Sequence, residues 1–177
     1  CKNAEQLNNT KARVITVDDK GNVDYMIYGY SKAKEHVGEN GISILRYNYE
    51  FNSSKEAAFV PCKVPAYNLE KQLSQLCYVG DGTLYIMMNN TIYYANLKTK
   101  EWGALVENVE DGSFAINSDG SMLAYNTSGK AYDTENITIV NLKNGEKKTI
   151  EAGADNIITV YGYTGTNLIY GIGSQSD

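Results

Sequence analysis

One strand pattern runs through this chain twice and then begins a third time. Asp81-Gly82-Thr83-Leu84-Tyr85-Ile86 leads, across Asn89-Asn90, into Ile92-Tyr93-Tyr94-Ala95-Asn96-Leu97-Lys98. Asp119-Gly120-Ser121-Met122-Leu123-Ala124 leads in turn into Ile137-Thr138-Ile139-Val140-Asn141-Leu142-Lys143. The Asp-Gly pairs are 38 positions apart and the Asn-Leu-Lys endings 45. A further start, Gly165-Thr166-Asn167-Leu168-Ile169-Tyr170, follows 45 positions after the counterpart at Ser121. Units of roughly 40–50 residues made of short alternating strands predict the blades of a β-propeller.

The remaining segments fit that frame. Ala12 to Val17, Val23 to Tyr30, Ile42 to Tyr47 and Lys55 to Val60 alternate as strands, separated by Asx- and Gly-rich turns. The expected architecture is all-β: a partial propeller of about three and a half four-stranded antiparallel blades. Blade one spans 11–64, blade two 75–108 and blade three 113–152, with 156–172 beginning a fourth. Only 65–75 departs, since Leu69, Leu73 and Leu76 recur at helical spacing after Pro65, which predicts a short connecting helix near 66–75. A propeller normally closes its ring, so this count predicts a piece of a longer propeller. Pairing of the open blade edges with a second copy is the competing expectation.

Phe114-Ala115-Ile116-Asn117-Ser118-Asp119-Gly120-Ser121-Met122-Leu123-Ala124-Tyr125, with Ile139 to Glu146 downstream, resembles the propeller repeat of the TolB type, a relative of WD40-like repeats. The match weakens at 80–102 and is faint in the first blade. Residues 23–64 are similar to extracytoplasmic propeller proteins of clostridial gut bacteria. The resemblance implies the fold and a place outside the cytoplasm. It implies no chemistry, because its motifs are turn residues.

Composition excludes several classes. Net charge is −5 with acids and bases interspersed, so no basic stripe is available for nucleic acid. No apolar run approaches a transmembrane helix. Arg supplies two of sixteen basic residues and Asn is abundant, which suits a low-GC Gram-positive bacterium and its cell envelope. Cys1 fits the lipid-modified residue of a lipoprotein, or an arbitrary boundary in a longer chain. Cys62 and Cys77 could pair in an oxidising compartment or stay free and buried.

Catalytic options are few. His36 is the single histidine, which rules out a multi-His metal site, and no GxSxG, HExxH, CxxC or P-loop occurs. No catalytic residue, metal or cofactor is expected. The oxygen-rich stretch from Asp18 to Asp24 reads as turn chemistry rather than a calcium loop. Fifteen tyrosines, among them Tyr25, Tyr28, Tyr30, Tyr47, Tyr49, Tyr93 and Tyr94, serve β packing first and recognition second. The charged insertion Ser31 to Gly41, with Tyr30, Lys34, Glu35 and His36, is the binding candidate. The function expected is a non-enzymatic binding scaffold for a protein or carbohydrate. The alternatives are an accessory domain of a peptidase or glycosidase with catalytic residues elsewhere, and a structural assembly module.

Overall fold

In a computed structural model, which describes residues 11–31, 35–64 and 66–174, the alternating segments form successive antiparallel meanders. The first is β1 (Lys11–Val17), β2 (Val23–Tyr30), β3 (Asn40–Asn48) and β4 (Ser53–Pro61). After helix α1 (Ala66–Gln75) come β5 (Cys77–Gly80), β6 (Thr83–Met88), β7 (Thr91–Asn96) and β8 (Trp102–Val106). The third meander is β9 (Phe114–Ile116), β10 (Met122–Asn126), β11 (Asn136–Asn141) and β12 (Lys147–Glu151). A hairpin, β13 (Asn156–Thr164) with β14 (Asn167–Ser174), follows. The chain is therefore the expected all-β, open propeller with its one short helix in place.

Period-2 alternation explains how the sheets stack. On β6, Leu84, Ile86 and Met88 point to the first sheet, where they meet Met26, Ile42, Ile44 and Val60. The intervening Tyr85 and Met87 point the other way, into Leu123, Tyr125, Val140 and Leu142 of the third sheet. A strand apolar on both faces belongs between two neighbours. Ala124 and Ile137 then bury against Ile158 and Val160 of β13. Among the described residues, no core cluster joins the β13–β14 hairpin to the first sheet. Leu69 and Leu73 plug the helix into the first cluster and Leu76 enters the second, each at most 2% exposed. Arg13 ties β1 to the helix by donating to the Leu73 carbonyl at 3.0 Å.

The repeat motifs are turn chemistry. Asn96 Oδ1 accepts from the Lys98 and Thr99 amides, and Asn141 Oδ1 from that of Lys143. The following leucine amides pair alike, Leu97 with the Gly82 carbonyl and Leu142 with that of Ser121. The two Asp-Gly pairs differ. Asp81 (φ 45°) and Gly82 (φ 69°) are both left-handed between the paired Gly80 and Thr83, as a two-residue type I′ hairpin requires. At the second site only Gly120 (φ 74°) is left-handed, inside a wider loop closed by Asn117, whose Oδ1 accepts from the Met122 amide. The repeat spacing lengthens from 38 to 45 because the tight Asn89-Asn90 turn of the second blade is replaced by the loop 127–135 in the third.

Two contacts fasten the blades. Gly80 lies so close to the third blade that a Cβ there would stand 2.0 Å from the Leu142 carbonyl oxygen. Asn126, fully buried, donates to the Lys130 and Ala131 carbonyls and to Thr159 Oγ1, and its Oδ1 accepts from the Val160 amide of β13. One amide side chain thus closes a loop and caps the unpaired edge of the last hairpin.

Candidate functional site: the long-loop end

A meander puts alternate connections at opposite ends of its strands. At one end lie short turns: 18–22, 49–52, 81–82, 97–101, 117–121, 142–146 and 165–166. At the other lie 31–39, the helical connection 62–76, 107–113 and 127–135, together with two short connections, Asn89-Asn90 and 152–155. Long loops on a rigid sheet frame are where binding groups collect.

The tight turn creates a hollow. Because Asn89-Asn90 is so short, a cleft of about 760 Å³ opens between α1 on one side and 109–111 on the other. Gln72 pins the turn to the helix, its Oε1 accepting from the Asn89 amide and its Nε2 donating to Asn90 Oδ1. The Val109 amide pairs with the Asn90 carbonyl at 2.7 Å. The side-chain amides of Asn68, Gln75 and Asn89 also line the cleft, and none has a hydrogen-bond partner among the described residues. Lys63 and Lys71 form one rim, Glu110 and Asp111 the other. No aromatic ring lines it among the described residues.

The predicted loop sits at the same end. Its neck is closed by Ser31 N–H to the Glu39 carbonyl at 2.7 Å, and the Glu39 amide returns to the His36 carbonyl at 3.0 Å. Lys34 lies outside the described residues, as does Cys1. Tyr30 is about half exposed, and its hydroxyl lies over Gly38. Glu35 is exposed. His36 is anchored: its ring stacks on Phe59 at 3.9 Å and 9°, with Nε2 3.4 Å from Glu56 and Nδ1 3.8 Å from Glu39. Residues 36–39 are thus folded onto the face of the first sheet that points away from the second.

Glu56 was not foreseen, and a β-bulge explains it. Ser43 faces Phe59 and Ile44 faces Ala58, but Leu45 faces Glu56, leaving Ala57 unpaired. Regular alternation would put Glu56 beside Ala58 and Val60 in the core. The extra residue turns it onto the Phe59 face instead.

The other candidates resolve into structure. Asp18 Oδ1 accepts from the Lys20 and Asn22 amides while Oδ2 takes Asn22 Nδ2 and the Arg46 guanidinium. Its carboxylate is consumed by the turn. Tyr28 is buried, Tyr93 tilts against Trp102, and Tyr25 and Tyr47 bond Ser54 and Asn52. Cys62 and Cys77 are both free, and burial pushes both thiols up, away from the reactive thiolate. Between β11–β12 and the β13–β14 turn, a second hollow of about 420 Å³ is lined by Tyr163. Its buried hydroxyl has no partner among the described residues, and burial pushes it up to about 12.

No protein-family model and no curated protein matches the chain. Two solved structures are similar in outline. One is a luciferin-regenerating enzyme (TM-score 0.42, 10% identity), matched over 89% of this chain and 55% of that one. The other is the β-propeller domain of the Trilobed protease from Pyrococcus furiosus (TM-score 0.38, 12% identity), over 96% and 55%. The chain spans about half the length of either, and likeness this distant carries nothing about activity.

Proposed function

We propose that this chain is a non-enzymatic binding module that takes an extended segment of a protein partner in the cleft between α1 and 109–111. The observation that carries the proposal is the set of unpaired side-chain amides of Asn68, Gln75 and Asn89 between opposed basic and acidic rims. Amides both donate and accept, so a row of them matches a peptide main chain. A saccharide would call for aromatic platforms, which the described lining lacks. The lone histidine is held by Glu39, Glu56 and Phe59, which suits anchoring rather than proton transfer. The TolB-like repeat and the Asn- and Lys-rich composition support placement at the cell envelope of a low-GC Gram-positive bacterium.

Photo-crosslinking in cells tests this. A photoreactive residue at Gln75 is expected to give a discrete protein adduct, and one at Asn144 on the short-turn end is not. Equal adducts at both positions, or none at Gln75, would refute the cleft as the binding site.

A further inference from the structure

We infer that Glu35, His36 and Glu56 form a binding site for a first-row divalent metal ion, zinc being the natural probe, which clamps residues 35–39 to β4. The inference does not depend on the cleft. One donor atom from each of the three residues lies within 4.8 Å of the others. Zinc bonds nitrogen and carboxylate oxygen at about 2.0–2.2 Å, so tetrahedral donors stand about 3.4 Å apart. His36 Nε2 and Glu56 Oε1 are already at 3.4 Å. The remaining closure falls to Glu35, the exposed member of the three.

The surroundings are those of a metal ligand. A coordinating imidazole characteristically presents its other nitrogen to a carboxylate. Glu39 Oε1 stands 3.8 Å from Nδ1, one short side-chain adjustment from a hydrogen bond. Stacking on Phe59 fixes the ring plane, and the bulge at Ala57 is what delivers Glu56 to this face. Among the described residues, no Lys or Arg pairs with Glu35, Glu39 or Glu56, and the His36 ring faces the last two. The three protein ligands leave a fourth position for water or a partner's donor.

The test is a titration of the chelator-treated full chain with Co²⁺, whose visible spectrum reports its ligands, followed by competition with Zn²⁺. The expected result is one equivalent bound with a d–d band and no thiolate charge-transfer band. His36→Ala and Glu56→Gln should each abolish saturable binding. Glu39→Gln, which touches only the outer carboxylate, should weaken it about 10-fold. Absence of saturable binding would overturn the inference. So would thiolate bands, or binding that survives His36→Ala. Circular dichroism of each variant separates loss of the site from loss of the fold.

Discussion

The two ends of the propeller are built from the same strands and spend their polar side chains differently. At the short-turn end Asp18, Asn96, Asn117, Asp119 and Asn141 each accept from backbone amides one to five residues away. Every one of these groups satisfies a donor that the turn itself exposes. At the long-loop end the side-chain amides of Asn68, Gln75 and Asn89 satisfy nothing among the described residues, where Glu35, His36 and Glu56 also gather without a paired Lys or Arg. Residues of the same type therefore all carry structural meaning at one end, whereas at the other some, such as Gln72 and Asn126, do and others are left for binding. What separates them is whether a backbone donor lies within reach.

Substitutions can break or sharpen that contrast. Gly80→Ala at the short-turn end should have the largest effect, at least about 3 kcal/mol by urea unfolding, because the added methyl meets backbone rather than a movable side chain. A loss below about 1 kcal/mol would mean that the blade contact there is loose.

Asp119→Asn should act through pH. Hydrogen bonds from the Ser121 hydroxyl and amide hold the Asp119 carboxyl at about 2, below the usual 3.8. Its contribution is therefore complete above about pH 4 and disappears as pH falls toward 2. The urea midpoint should fall further between pH 5 and pH 2.5 for the wild type than for Asp119→Asn. Equal pH dependence would show that the turn does not need the ionised group.

The smallest effect should come from the double substitution Asn68→Ala with Gln75→Ala. Stability should change by no more than about 0.5 kcal/mol, since neither amide has an internal partner. Crosslinking from a photoreactive residue placed instead at Lys71, on the cleft rim, should nevertheless fall. Marked destabilisation would erase the distinction between the two ends.

The fold was legible because its signals are local. Asn-Leu-Lys, the Asp-Gly pairs and the i, i+4, i+7 leucines of α1 act within a few residues, and each produced the element expected of it. The site was half legible. Composition singled out the loop bearing Glu35 and His36. Glu56 depends on a bulge inside Lys55-Glu56-Ala57-Ala58, where no Gly or Pro announces it. The cleft joins 63–75, 89–90 and 109–111, a convergence that no pattern within one strand encodes. Even the matching Asp-Gly pairs misled in detail, since one occupies both central positions of a tight turn and the other ends a wider one.

The alternating faces of β6 also bear on how the molecule opens. Among the described residues, the core clusters join each sheet only to its sequence neighbours, so cohesion passes along the chain as a line of separate interfaces. In such a line the terminal members have one interface to lose and the central ones two. Amide exchange should therefore be graded, fastest in β1 and β14 and slowest in β6, with fraying that travels inward from both extremities.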